Sequence, residues 1–181
     1  MKNEIWSYPN ISRKTLFSWC DYWNLSPMET KFLLTRNLID DSQMRAFFSE
    51  DESQFSDPLQ WDELDRGAKR ILQGLQESES IVIYGDYDVD GIAGTAILIE
   101  GLRRLGYTDL EYYIPHRQEE GYGLNQNALE ELQKRGVTLL VTVDCGTAST
   151  ELVSWCQEAG MDVIITDHHL PGETLPPAYA L

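Results

Sequence analysis

The stretch from Ile81 to Gly94, IVIYGDYDVDGIAG, leaves the chain few ways to fold. The apolar run Ile81 to Tyr84 suits a strand buried on both faces, and it stops at aspartates in alternate positions, Asp86, Asp88 and Asp90. Gly85 and Gly91 permit tight turning, after which Ala93, Ala96, Ile97 and Leu98 begin a helical pattern. An acidic loop is thereby placed at the carboxyl end of a strand. Carboxylates this close repel one another unless a proton or a cation neutralises them, and hard divalent ions such as Mg²⁺ or Mn²⁺ take oxygen ligands of this kind. An isolated acidic turn is more often a solvated loop, so its meaning rests on what the other strand ends bring.

Leu64, Ala68, Ile71, Leu72 and Leu75 mark an amphipathic helix over 61–76 that leads into this first strand. Helices and strands then alternate. A helix is expected over about 91–105, a strand over 110–114, a helix over 125–134 capped by Asn125, a strand over 139–143, a helix over 150–159 and a strand over 163–166. This pattern predicts an α/β fold, a doubly wound, mainly parallel sheet with flanking helices on both faces. Upstream there are helical patches and no strand: one around Leu16, Phe17, Trp19, Cys20, Trp23 and Leu25, one from the Ser26-Pro27 cap to about Leu38, and one over 42–48. Trp6, Trp19 and Trp23 are rings that can stack on bases, but at helical spacing they read as core. The expected organisation is a small helical subdomain, 1–58, ending in a Ser-, Asp- and Glu-rich linker over 49–58, followed by an α/β domain, 59–181.

Charge narrows the range of partners. Thirty acidic residues against 14 basic ones give a net charge of −16, which argues against a surface that wraps a polyanion. Any contact with nucleic acid must be local or metal-mediated. No apolar run approaches the roughly 20 residues that span a bilayer, and the start MKNEIWSYPN lacks the pattern of a secretion signal, so no membrane partner and a cytoplasmic location are expected. Cys20, Cys145 and Cys156 are odd in number and without CxxC spacing, which indicates neither a disulfide framework nor a zinc site and fits a reducing compartment.

In a parallel sheet every strand delivers its following residues to the same edge, where doubly wound folds bind ligands. After the first strand come Asp86, Asp88 and Asp90; after the third, Asp144, Cys145 and Gly146; after the fourth, Asp167, His168 and His169. Carboxylates and imidazoles from distant segments thus meet at one edge. Such a set suits Mn²⁺ or Mg²⁺, a carboxylate shared between two ions could hold them as a pair, and phosphoester hydrolysis is the matching reaction. After the second strand, Pro115-His116-Arg117 and the loop Glu119 to Leu124 reach the same edge, where Arg117 or His116 could hold a phosphate; a plain surface loop fits the composition equally well. Cys145 reads as a packing residue with no catalytic part.

Taken together, GDYDVDG at 85–91, IPHRQEEGYGL at 114–124, TVDCGT at 142–147 and TDHH at 166–169 resemble the DHH phosphoesterase superfamily, and within it the RecJ-type single-strand-specific 5′ to 3′ DNA exonucleases. The resemblance covers nearly the whole chain, including the helical lead and its late Asp57-Pro58 pair. It implies Asp88 and Asp90 as the first metal aspartates, Asp144 as the second-motif aspartate and His168 as the metal histidine, with Asp86 as a ligand or a partner of the ligands. It implies a catalytic set of Asp88, Asp90, Asp144, His168 and His169, with Asp167 in support and with substrate phosphate held by Arg117, His169 and His116. The cofactor implied is Mn²⁺ or Mg²⁺. The partners implied are single-stranded DNA and a single-strand-binding protein, in DNA repair and recombination. RecJ-type proteins continue through a further metal aspartate and a DHHA1 domain, so the chain is expected to be an amino-terminal part with an incomplete metal set and little exonuclease activity alone. Two other readings stay open: a DHH-type phosphodiesterase for short oligonucleotides, cyclic dinucleotides or pyrophosphate, and a non-catalytic binding module on the same fold.

Overall fold

Strand β1 (Ile81–Gly85) is buried along its whole length, as a run of β-branched residues without polar alternation requires. In the computed structural model, which describes residues 10–52 and 55–181, it pairs with β2 (Glu111–Tyr113) on one side and β3 (Leu139–Val143) on the other; β3 then pairs with β4 (Asp162–Thr166). The order is β2-β1-β3-β4 and every pairing is parallel. The chain divides into two compact units, Met1–Ser56 and Asp57–Leu181, and the sheet belongs to the second.

Side chains alternate between the two faces of the sheet, and each face has its own core. Val82, Tyr84, Leu140, Val163 and Ile165 pack with Leu129 and Leu132 of α6 (Gln126–Lys134) and with Val153 and Cys156 of α7 (Thr150–Glu158). Ile81, Ile83, Leu139, Val141 and Ile164 face the other way, toward Ile71 and Leu75 of α4 (Asp62–Gln76) and Ile99 and Leu102 of α5 (Val89–Arg104). This is the doubly wound arrangement expected from the alternation. β2 is shorter than expected because Leu110 and Ile114 make no strand pairing. α5 begins two residues earlier than Gly91, because Asp88 caps it by accepting from the N–H groups of Asp90 at 2.9 Å and Gly91 at 3.2 Å.

Gly91 is what allows α5 to start so close to the end of β1. A Cβ there would lie 2.4 Å from the Asp86 carbonyl oxygen and 2.6 Å from its nitrogen, so no side chain fits without moving Asp86. On the far side of the sheet, Arg70 of α4 ties the strand starts together. Its guanidinium donates to both oxygens of Glu79 at 2.9 and 2.8 Å and to Asp162 Oδ2 at 2.8 Å, with only 10% of its side chain exposed. Thr138 adds a hydroxyl to Glu79 at 2.8 Å.

The first unit consists of α1 (Arg13–Trp23), α2 (Pro27–Leu34) and α3 (Asp41–Phe48), each with a side-chain cap from Ser12, Ser26 and Asp40 respectively. Cys20, Thr30, Leu33 and Met44 are buried among its described residues, and the Cys20 thiol donates to Thr30 Oγ1 at 3.3 Å. Trp19 and Trp23 are half-buried rather than fully enclosed; Trp6 and, in the expected linker, Ser53 and Gln54 lie outside the described residues. α2 stops short of the expected Leu38 because Asn37 adopts a left-handed φ of 62° and the Leu38 N–H turns back to the Leu33 carbonyl.

Two stability outcomes are expected. Gly91→Ala should cost about 1–3 kcal/mol, because the added methyl must displace backbone rather than a flexible side chain. Chemical denaturation checks it. Glu79→Gln should cost about 1–3 kcal/mol near neutral pH, since it breaks a charge-assisted pair that is largely shielded from water. Arg70 holds the Glu79 carboxyl below the usual carboxylate range, so this stabilisation is present above the unfolded-state value and is lost as pH falls through the folded one. The difference between wild type and Glu79→Gln should therefore shrink below about pH 4 in thermal melts.

Candidate metal centre

The sheet order puts β1 next to β3, with β2 leaving to one side and β4 to the other, so the crevice at their carboxyl ends is the place where a doubly wound sheet opens for a ligand. The ladder continues one residue past each strand: Asp86 donates its N–H to the Val143 carbonyl at 3.1 Å, and Asp144 to the Thr166 carbonyl at 2.8 Å. Both residues are therefore fixed by backbone pairing, and both are buried, at 1% and 7% exposure. Asp86 Oδ1 and both oxygens of Asp144 have no hydrogen-bond partner. Buried carboxylate oxygens without donors are costly, and a cation is the group that relieves them.

Ligand atoms of Asp86, Asp88 and Asp144 lie within 4.8 Å of one another, and those of Asp144, His168 and His169 do the same. Asp144 is common to both triads. Its backbone has a φ of 63°, a left-handed conformation that a carboxylate-bearing residue adopts at some cost. The surroundings hold it there: the Thr142 hydroxyl donates to the Cys145 carbonyl at 2.7 Å and the Tyr122 hydroxyl to the Asp144 carbonyl at 3.3 Å. Burial pushes the Asp144 carboxyl above the usual range and the neighbouring Asp88 adds to the shift. Asp88 goes the other way, held down by the N–H of Gly91, with Asp90 and the positive charge of Arg117 contributing. Neighbouring carboxylates displaced in opposite senses repel, and a cation between them relieves that repulsion. The oxygen and imidazole donors, and the unpartnered oxygens they enclose, fit Mn²⁺ or Mg²⁺.

The histidines are placed by Asp167, whose side chain is 1% exposed. It accepts from the N–H groups of Thr147, His168 and His169 at 3.0, 2.8 and 3.1 Å and sits 2.8 Å from His169 Nδ1. Burial opposes its charge, but the Thr147 and His169 hydrogen bonds win and bring it down to about 2. It raises His169 in turn. His168 Nε2 lies 3.0 Å from Asp144 Oδ1. Asp90 belongs to neither triad; it lines the same open cleft of about 380 Å³ as Asp144, Thr166, Asp167 and His168. Cys145 is fully buried and its thiol is pushed up to about 12, mainly by burial, which leaves no thiolate near neutrality.

The loop after β2 is anchored by Glu120, which accepts from the Tyr113 hydroxyl at 2.5 Å, the His116 N–H at 2.6 Å and Asn125 Nδ2 at 2.8 Å. Tyr84, in the sheet core, donates to the Gly123 carbonyl at 3.0 Å. Arg117 lies with its Cζ 4.6 Å over the Tyr87 ring, next to the acidic loop; His116 is exposed and enters the network through its backbone. Sequence reasoning passed over Tyr122, whose hydroxyl is 3.0 Å from His169 Nδ1. The signal was present: a tyrosine between two glycines, and both Gly121 and Gly123 have left-handed φ values, 80° and 81°. Tyr87 was equally overlooked, although it sits between two of the aspartates.

Comparison with known proteins agrees with this geometry. The chain is 34% identical over 176 residues to the single-stranded-DNA-specific exonuclease RecJ of Bacillus subtilis, covering 97% of this chain and 22% of the relative. It is 43% identical over 118 residues to RecJ of Haemophilus influenzae, covering 65% of this chain and 20% of the relative. The chain thus spans about a fifth of the length of these curated relatives. Among solved structures, RecJ in complex with Mn²⁺ from Thermus thermophilus superposes with a TM-score of 0.63 at 28% identity, covering 97% of this chain and 24% of that one. An exonuclease RecJ bound to manganese gives 0.58 at 42% identity, covering 62% and 29%. The DHH family, N-terminal domain, matches residues 80–181, from the residue before β1 to the end of the chain; with its acidic and histidine strand ends in place, this chain belongs to the DHH family.

Proposed function

We propose that residues 80–181 build the metal site of a RecJ-type phosphodiester hydrolase, one that degrades single-stranded DNA from the 5′ end in DNA repair and recombination. The observation that carries this reading is Asp144: buried, strained, with no hydrogen bond to either oxygen, 3.0 Å from His168 Nε2, and common to two ligand triads. Asp86, Asp88 and Asp144 would hold one divalent ion and Asp144 with His168 would contribute to a second, with Asp90 as a further carboxylate on the cleft wall. Bound Mn²⁺ or Mg²⁺ supplies an acidified water and neutralises charge on the phosphoryl oxygens.

The remaining work falls to side chains of the chain itself. Arg117 presents N–H donors to a phosphate beside the cleft, and a planar guanidinium suits two phosphoryl oxygens at once. With Nδ1 occupied by Asp167 and Tyr122, His169 keeps Nε2 for a phosphoryl oxygen, its orientation set from behind. Within this chain a net charge of −16 gives a long polyanion little purchase away from the metal and these few donors. A single strand, flexible enough to lead its end into a cleft, suits such a site better than a duplex does.

The metal reading has an unusual sign. Asp144→Asn removes a buried charge and places at a left-handed φ a residue that tolerates it well. The metal-free variant is therefore expected to melt at or above wild type. Mn²⁺ at about a hundred times its Kd stabilises a folded protein by about 2.7 kcal/mol, and a tenfold weaker Kd in the variant would remove about 1.4 kcal/mol of that. Thermal melts with and without Mn²⁺ check both arms; an undiminished response would place the ion elsewhere.

For the reaction, Mn²⁺-dependent release of 5′-mononucleotides from a labelled single strand is the direct measurement, made on the protein that carries this site. Asp144→Asn is expected to lower the rate by on the order of a hundredfold or more, since the geometry of both ions depends on this carboxylate. A rate untouched by the substitution would remove the site from the reaction.

A further inference from the structure

Arg117 lies against Tyr87, the residue between Asp86 and Asp88, and pairs with no aspartate. The described residues give it no hydrogen bond and no ion pair; its contact is with the ring of Tyr87, 4.6 Å from guanidinium carbon to ring centroid. Its charge still reaches Asp88, whose carboxyl it helps to lower. In a chain of net charge −16 an exposed arginine next to an acidic loop would ordinarily be captured by a carboxylate, often through two parallel N–H bonds. Such capture would occupy both the donors of Arg117 and an oxygen of a ligand aspartate.

The two residues reach this arrangement from different elements. Tyr87 is half-buried on the loop between Asp86 and Asp88, so its backbone moves with those carboxylates. Arg117 follows His116, whose N–H is held by Glu120 at 2.6 Å. A cation–π contact takes no oxygen acceptor, so the guanidinium's N–H donors remain available for one.

The geometry points to Tyr87 as a positioning residue: its ring holds Arg117 beside the acidic loop, withholding the guanidinium from the aspartates and keeping its N–H donors for a substrate phosphate. This rests on the reading of Arg117 as a phosphate-binding residue. The ring also couples the two halves of the site, since the loop that carries Asp86 and Asp88 carries the platform for Arg117 as well.

The test is titration of the chain, saturated with Mn²⁺, with thymidine 5′-monophosphate, which has a terminal phosphate and no internucleotide bond to cut. Wild type, Tyr87→Phe, Tyr87→Leu, Arg117→Leu and the double Leu variant are compared, with Mn²⁺ affinity measured separately for each by electron paramagnetic resonance. A cation–π contact at an exposed site is worth about 0.5–1 kcal/mol, so Tyr87→Leu should weaken nucleotide binding about two- to fivefold. Tyr87→Phe, which keeps the ring, should bind both nucleotide and Mn²⁺ as wild type does. In the Arg117→Leu background, Tyr87→Leu should have no further effect, because the ring acts through the guanidinium. Nucleotide binding unchanged in Tyr87→Leu, or the same loss in both backgrounds, would overturn the assignment. Binding unchanged in Arg117→Leu would instead remove the phosphate reading on which it rests, and the single Arg117 variant separates the two failures.

Discussion

Repulsion between carboxylates governs this structure. Asp86, Asp88 and Asp144 are brought within ligand distance of each other, two of them out of water, and no lysine or arginine forms an ion pair with them among the described residues. Left to itself, a chain would relieve that by letting one aspartate swing out. Here it cannot, because Asp86 and Asp144 are extensions of the strand ladder and their N–H groups are already committed to Val143 and Thr166. The energy to hold them comes from a sheet that is apolar on both faces, with the helices of each face packed against it.

Neighbouring elements are adjusted to that arrangement. Gly91 lets the first turn of α5 close on Asp86, and Asp88 uses one oxygen to cap the helix while its other remains for the cluster. Asp167 is the opposite kind of carboxylate, enclosed by donors and strongly ionised, and its charge serves to aim two histidines. A carboxylate starved of donors beside one saturated with them is the arrangement expected where one binds a cation and the other shapes the site.

Much of this was legible in the chain. Periodicity located the strands and helices of the second unit, since buried parallel strands such as Leu139–Val143 read as continuous apolar runs bounded by turns. Reading off the residues after each strand named Asp86, Asp88, Asp144, His168 and His169 before any contact was known. What stayed hidden were effects of through-space geometry. Nothing local marks Asp144 as left-handed, because that conformation is imposed by Thr142, Tyr122 and the ladder to β4. Tyr87 and Tyr122 look like ordinary loop aromatics until their partners, distant in sequence, are brought beside them. Asp90 could not be told apart from Asp88 by spacing; only the helix cap separates their surroundings.

The segment between β2 and α6 has no helix or strand of its own, and such a segment would ordinarily fluctuate on its own timescale, nanoseconds to microseconds. This one is fastened to the hydroxyl of Tyr84, a residue with no exposed surface in β1, and to Asn125 at the start of α6. Displacing it means breaking bonds rooted in the sheet. The strip that carries Arg117 and Tyr122 is therefore slowed by its anchors, and the hydrogen-bonded amides of His116, Glu119 and Glu120 should exchange more slowly than those of an untethered loop.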